Sequence, residues 1–262
     1  MDVVAIVALA RSVEEEAPKL AADLGVTAYE AGMMLRAPMP VIVLRTEDRA
    51  RTLDLLGKLR SRGHDTVACD LSAVVSSEDM FRPRSFRFEG TDFIGSGSGE
   101  ERRLPLANMF ALVRANHVTR NEETVVSQER KVSIGRAALT GGLLTTKTTS
   151  KESRRVTNER ESVLYVFRTD AAPWLLASTE LRYDGLAEGM KLSKLENFEV
   201  LVEALRNGAP SATFDTRLLQ ARVSTTVASA SSKHLSTSSS AATDVLAHIV
   251  AMSLSRNARP YR

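Results

Sequence analysis

A glycine pair upstream of a Lys-Thr dipeptide is the part of this sequence closest to a known chemical motif. In the stretch 133–155, Gly141 and Gly142 precede a Lys-Thr dipeptide that begins at Lys147. A Walker A loop needs glycine directly before the lysine, because the backbone there bends to aim its amides at phosphate. Thr146 stands in that place, and a β-branched residue tolerates positive φ badly. The sequence therefore argues against a nucleotide site, and the two glycines are predicted to turn one apolar strand back on another.

The other chemically capable residues follow no familiar spacing. Glycines at 95, 97 and 99 lack the first-third-sixth pattern of a dinucleotide fingerprint and are predicted to form a hairpin turn. The four histidines lie in separate regions, without the spacing of a zinc site. Cys69 lies in an apolar strand pattern and is predicted to be a small core residue. We therefore predict no cofactor, no metal and no enzymatic activity, with an enzyme whose site lies between domains as an alternative.

Positive charge is concentrated around the same glycine pair. Residues 130–160 contain eight basic and two acidic side chains, a net charge of +6, whereas the whole chain carries +3. The candidate residues for binding a partner or an anionic surface are Arg136, Lys147, Lys151, Arg154 and Arg155.

Several interpretations of this basic stretch stay open. An apolar hairpin tip with basic flanks could contact an anionic membrane surface. Nucleic acid is an unlikely partner, because the stretch has no aromatic residues for stacking. The stretch could also be an ordinary strand pair with its charges in water, or it could bind a protein.

Composition limits the remaining possibilities. The chain has 262 residues, 43% of them hydrophobic, which is long enough for two domains that each bury a core. A single cysteine cannot form an intrachain disulfide. Asp2 stands where a secretory signal would carry lysine or arginine, and there is no apolar run of about 18 residues. We expect a soluble, cytoplasmic protein.

The first 78 residues alternate between strand and helix patterns. Capping-box spacings begin at Ser12 and Thr27, with Pro18 expected in the first turn of its helix. A strand at 40–46 precedes a helix that Thr46 is predicted to cap, and a third strand at 64–71 closes the region. The apolar stripe of that third helix is expected at Ala50, Leu53, Leu56 and Leu59. The sequence thus predicts a small βααβαβ domain over 1–78.

This region resembles the C-terminal domain of the bacterial ribosomal stalk protein, which has the same order of elements. The match in kind lies around the second helix, at Gly25, Val26, Glu30, Ala31 and Pro38. Two lysines that help the family dock translation factors are replaced here by Tyr29 and Gly32. The resemblance implies this fold and, for the family, the binding of a protein partner.

Residues 82–220 read as antiparallel hairpins followed by one helix. Ser193 and Glu196 have capping-box spacing, and the helix they begin is expected to end at Gly208 and Pro210. Its apolar face is expected to comprise Leu195, Phe198, Leu201, Val202 and Leu205. Antiparallel strands closed by a terminal helix resemble a pleckstrin-homology-like barrel, which implies binding of a protein or a lipid head group.

Residues 221–262 are rich in serine, threonine and alanine and are predicted to be a tail with a short terminal helix. That helix has an apolar stripe at Val245, Ile249 and Met252, which could dock on the chain itself or on a second copy. The sequence as a whole predicts an α+β protein of two domains and a tail. We expect a non-catalytic protein-interaction or regulatory module that binds a protein partner or itself and has no small-molecule substrate.

Overall fold

The computed structural model describes the backbone of residues 1–132, 146–220, 226–230 and 234–257, and the side chains of 1–119, 159–220 and 239–256. The first part of the chain has the predicted order of elements. These are β1 (Asp2–Ala8), α1 (Val13–Leu24), α2 (Ala28–Leu35), β2 (Val41–Thr46), α3 (Arg49–Ser61) and β3 (Asp65–Asp70). The strands form an antiparallel sheet, sheet A, in the order β2-β1-β3.

The central strand β1 is buried on both faces. Val4 and Ile6 lie in a core cluster with α1, α2 and α3, whereas Val3 and Ala5 pack on the opposite face with Ile249. A strand covered on both sides needs apolar residues at every position, which explains the unbroken run at the start of the sequence.

Three further strands form a small antiparallel sheet, sheet C. They are β4 (Ser85–Glu89), β5 (Asp92–Gly97) and β6 (Glu100–Pro105). Between β5 and β6 the chain turns through Ser98 and Gly99, whose φ angles are 52° and 79°. Two consecutive positive φ angles are typical of a type I′ hairpin, so the predicted glycine-serine turn is confirmed.

The remaining elements build a larger sheet, sheet B, and two helices. They are β7 (Met109–Val132), β8 (Thr146–Arg168), β9 (Trp174–Ala177), α4 (Lys194–Gly208), β10 (Thr213–Leu218), β11 (Thr226–Ala230), β12 (His234–Ser238) and α5 (Ser240–Asn257). Sheet B has the order β11-β12-β7-β8-β9, with β10 parallel to β7. The predicted α+β class, with a βααβαβ part followed by a β-rich part and a capping helix, is confirmed.

The last helix, α5, is buried between two sheets. Ile249 packs on the β1 side of sheet A. Ala247 and Val250 pack on sheet B with Val113 and Tyr165. The other face of sheet B packs against α4 and sheet C, through a cluster that includes Phe93, Leu112, Leu164, Trp174, Phe198 and Leu201. The end of the chain therefore supplies part of two cores.

Contacts between residues divide the chain into two compact units. The first comprises 1–117, 160–224 and 239–262, and the second comprises 118–159 and 225–238. The second unit contains the distal parts of β7 and β8 together with β11 and β12. This division by contacts differs from the three sequence segments expected above, which stay predictions.

Local helix signals are confirmed, with two differences in position. Ser12 accepts a hydrogen bond from the Glu15 amide, so α1 begins at Val13 and Pro18 falls in its second turn. α3 is capped by Asp48, whose Oδ1 accepts from the amides of the next turn, and not by Thr46. An aspartate two residues closer to the helix reaches the free amides directly.

Three predicted apolar faces are partly wrong. In α5, Ile249 is buried as predicted, but Met252 is 39% exposed. In α3 the buried residues are Thr52, Leu55, Leu56 and Leu59, whereas Ala50 is exposed and Leu53 is 55% exposed. In α4 the residues Phe198, Leu201, Val202 and Leu205 are buried as predicted, but Leu195 is 58% exposed. Both exposed leucines lie in runs where two overlapping helical stripes are apolar, and long-range packing decides which one is covered.

Candidate functional site

The predicted basic residues lie at the margin of the described structure. Arg136 falls outside the described residues, as do Gly141 and Gly142. Lys147, Lys151, Arg154 and Arg155 lie on the distal part of β8. The structure thus places four of the five on one strand.

Charge and composition set the second compact unit apart. Its residues include nine basic and five acidic side chains, a net charge of +4, so the rest of the chain carries −1. It contains no phenylalanine, tyrosine or tryptophan. The basic character predicted for the 133–155 stretch therefore belongs to the whole unit.

A buried polar cluster gathers residues from four distant segments. We call it the Asp244 cluster; it consists of Ser77, His117, Tyr165 and Asp244, each more than nine-tenths buried. Asp244 accepts hydrogen bonds from the Ser77 amide at 2.8 Å, from the Ser77 hydroxyl, and from the Tyr165 hydroxyl at 2.6 Å. His117 Nε2 lies 2.7 Å from the Tyr165 hydroxyl oxygen.

Burial governs the protonation of this cluster. It lowers the pKa of His117 and raises the pKa of Tyr165, whose ionisation the charge of Asp244 opposes further. His248 also has a pKa lowered by burial, and its Nδ1 lies 2.8 Å from the Asp244 carbonyl oxygen. The Ser77 and Tyr165 donors are both directed at the Asp244 carboxyl group.

The Asp244 cluster resembles a catalytic constellation in its residue types but not in its connections. The serine hydroxyl donates directly to the carboxylate, and the histidine contacts the tyrosine, so no histidine lies between serine and carboxylate as it does in a Ser-His-Asp triad. The hydrogen bonds of the cluster join α5 to β8 and to the segment before sheet C. The arrangement therefore anchors α5 to these two segments.

Metal binding finds no support in the described part of the chain. Among those residues there is no group of three or more His, Cys, Asp or Glu side chains that could hold an ion. Cys69 is buried as predicted, and burial raises the pKa of its thiol. No helix among the described residues is long and apolar enough to cross a membrane.

An exposed apolar turn leads into α4 and includes its first two residues. We call residues Met190–Leu195 the display turn, because Met190 is 54% exposed, Leu195 is 58% exposed and Leu192 is fully exposed. Scattered single apolar residues on a surface need no explanation, but three within six residues form a patch.

Hydrogen bonds hold the backbone of the display turn at Met190, Lys191 and Ser193. Asn197, only 6% exposed, accepts from the Lys191 amide at 2.6 Å and donates to the Lys191 carbonyl at 3.1 Å. The Met190 amide donates to the Ala187 carbonyl. A reciprocal capping box between Ser193 and Glu196 fixes the backbone at Ser193 and begins α4. One buried asparagine thus clamps Lys191, the residue between the exposed Met190 and Leu192.

The segment leading into the display turn is also constrained. A Cβ atom on Gly185 would lie 2.0 Å from the carbonyl oxygen of Phe86, so only glycine allows this close approach to β4. Ala187 has φ 46° and ψ −122°, a conformation that costs a residue with a side chain about 1–3 kcal/mol. Strain of this kind persists only where the surrounding structure fixes the backbone. The apolar side chains are therefore displayed on a rigid support.

Sequence reasoning missed the display turn for a local reason. Leu195 was assigned to the buried stripe of α4, and the segment before it has no strong pattern. One available signal was the capping box at Ser193, which places the preceding Met190 and Leu192 outside the helix. The Asp244 cluster gave no signal, because its hydrogen-bonded pairs are separated by 48 to 167 residues along the chain.

No family model, curated protein or solved structure matches this chain. The resemblances to the ribosomal stalk domain and to a pleckstrin-homology-like barrel therefore stay predictions.

Proposed function

We propose that this protein is a non-catalytic interaction module that binds a protein partner through the display turn. The observation that carries the proposal is the Asn197 clamp, which fixes the backbone between Met190 and Leu192 while both side chains remain exposed. A rigid contact surface loses less conformational entropy on binding than a mobile one. Exposed apolar side chains on such a support have the properties of a binding hot spot.

The charge around the display turn favours a protein over an anionic membrane as its binding partner. Residues 184–196 contain two lysines and three acidic residues, a net charge of −1. Attraction to anionic lipid requires a basic excess, which this surface lacks. We therefore expect an apolar pocket on another protein, with polar groups at its rim that meet Lys191 and Glu196.

Burial of the three apolar side chains sets the scale of the binding free energy at the display turn. Each contributes about 1.5–3 kcal/mol when fully covered. Association itself costs about 4–15 kcal/mol, so the display turn must be the centre of a larger contact. Truncation of Leu192 to serine should weaken binding by roughly ten- to a hundredfold.

Site-specific photocrosslinking tests this proposal. A photoreactive amino acid at position 192 should give a defined adduct with one protein in host cells, and the adduct should disappear in the Met190→Ser, Leu195→Ser variant. The matched control places the probe at Glu203, an exposed residue farther along α4. Adducts of equal yield at both positions would refute a specific site.

A second candidate function is supported by the charge of the second compact unit. Its net charge of +4, to which the basic residues of β8 contribute, favours binding of an anionic membrane surface. This function would use a different surface from the display turn, and the two are separable by mutation.

A further inference from the structure

The outer edge of sheet A carries backbone groups that form no strand pair. β3 is the edge strand, since β1 is its only neighbour among the described strands. The Leu71 amide donates to the Met1 carbonyl, and the register continues unbroken to Thr66. Hydrogen-bonded pairs alternate in an antiparallel ladder, so Cys69 and Val67 also face β1. Thr66, Ala68 and Asp70 therefore direct their N–H and C=O groups outward.

The hydrogen bonds at Thr66 and Ala68 agree with backbone groups that point away from β1. The Thr66 carbonyl accepts a hydrogen bond from Arg60, which lies outside the sheet. Among the described residues, nothing hydrogen-bonds to the amide or carbonyl of Ala68. An exposed strand edge of this kind is a template for a further strand.

This edge lies at the bottom of a groove between two helices. We call it the edge groove; it contains two adjoining cavities, of about 110 and 140 Å³, that share Ala68. The first is lined by Arg49 and Leu53 of α3, and the second by Arg60 of α3 and by Met252 and Arg256 of α5. Leu53 and Met252 are both exposed, at 55% and 39%.

The charges of the edge groove differ between its ends. Asp2, Asp70 and Arg49 lie at the first cavity, a net charge of −1. Arg60 and Arg256 lie at the second, where Asp65 is 2.9 Å from Arg256 and leaves a net charge of +1. Asp70 is half exposed, and the hydrogen bond from the Ser72 amide lowers its pKa, so it is ionised at neutral pH. The edge is therefore acidic at one end and basic at the other.

A second copy of this chain is complementary to such an edge. Two β3 strands that run antiparallel about Ala68 would place Asp70 of each copy beside Thr66 of the other, close to Arg60 and Arg256. A twofold contact of this type uses the same patch on both copies. The pairing could form up to about six backbone hydrogen bonds, each contributing roughly 0.5–1.5 kcal/mol.

A glycine in α3 adds an independent reason for a helix contact here. Gly57 lies between Leu53 and Arg60 on the side of α3 that borders the edge groove, since residues three and four apart share a helix face. Nothing lies within 4 Å of the position a Cβ atom would take there. Glycine inside a helix costs about 1 kcal/mol relative to alanine, and the single chain gives no steric reason for it. Close approach of a second α3 would provide that reason.

We propose that β3 is a homodimer interface, in which antiparallel β3 strands join two copies of sheet A into one six-stranded sheet and the α3 helices meet at Gly57. The display turn is not part of this interface.

The mass of the full-length protein in solution tests this proposal. Sedimentation equilibrium at micromolar concentration should give twice the monomer mass. Gly57→Trp should raise the dissociation constant at least about tenfold, because the indole fills the space between the helices while meeting nothing in its own chain. Ala68→Pro should do the same, since it removes an outward N–H and spares the ladder to β1.

The matched control is Arg51→Trp, which adds the same side chain to an exposed position on the α1 side of α3, about 120° around the helix axis from Gly57. This variant should remain dimeric, and its far-ultraviolet circular dichroism should match that of Gly57→Trp. A monomeric wild-type protein would overturn the proposal and leave the edge groove to an extended peptide from another protein. A dimer with unchanged affinity in Gly57→Trp would overturn it as well.

Discussion

Replacement of Asp244 by asparagine is the most informative perturbation of the buried core. The side chain keeps its size, but one charged acceptor oxygen becomes an NH₂ group. In the native structure the carboxylate accepts from the Ser77 amide, the Ser77 hydroxyl and the Tyr165 hydroxyl. Whichever way the amide turns, at least one of these donors loses its acceptor.

The expected cost follows from those contacts. A hydrogen bond to a charged group contributes about 1.5–3 kcal/mol, and a buried donor left without a partner costs about 1–3 kcal/mol. Because the groups share one carboxylate, these terms do not add. We expect Asp244→Asn to lower the free energy of unfolding by about 2–4 kcal/mol.

Asp79 provides a matched control within the same part of the chain. It also accepts a hydrogen bond from a serine hydroxyl, that of Ser76 at 2.7 Å, but the pair is exposed to solvent. Asp79→Asn should change the free energy of unfolding by less than about 1 kcal/mol. Urea titration followed by tryptophan fluorescence measures both variants, since Trp174 lies in the core. Equal losses for Asp244→Asn and Asp79→Asn would refute the assignment of Asp244 as an anchor of α5.

Two further predictions concern pH and anionic surfaces. Burial lowers the pKa of His117 and His248 below the ordinary value of 6.5, so the unfolded chain binds more protons than the native one just below that pH. The free energy of unfolding should therefore fall as the pH drops from about 7 to 5.5, by at most about 1.4 kcal/mol per histidine and pH unit. The His117→Asn, His248→Asn variant should have a flatter profile, and identical pH profiles would contradict this account. Separately, a variant with serine at the five candidate basic positions should not co-sediment with phosphatidylserine vesicles at low salt, because each basic residue contributes about 1 kcal/mol of binding free energy. The five positions are Arg136, Lys147, Lys151, Arg154 and Arg155. Failure of the wild-type protein to co-sediment would exclude the membrane function.

Local patterns predicted the secondary structure of this chain well. The capping boxes at Thr27 and Ser193 are confirmed, because their hydrogen bonds join residues only three apart. The βααβαβ order was readable for the same reason: each helix and strand carries its own start and stop signals. The strands β11 and β12 were not predicted, because the serine-rich sequence there has no apolar alternation.

Packing decided what the sequence left ambiguous. Leu53 and Leu55 both fit an apolar stripe of α3, and only contact with β1 and α1 selects Leu55 for burial. The exposed Leu53 then becomes part of the edge groove. Likewise, the display turn depends on an asparagine that reaches back six residues, a contact that apolar periodicity does not encode.

The central claim is that the display turn binds a protein because its backbone is fixed. Once a partner has been captured by photocrosslinking at position 192, the most direct measurement compares its affinity for the wild-type protein and for Asn197→Ala. This variant keeps Met190, Leu192 and Leu195 but removes both hydrogen bonds to Lys191. We predict a dissociation constant raised about five- to tenfold, from the entropy of ordering a freed turn on binding. An unchanged affinity in a folded Asn197→Ala protein would contradict the claim.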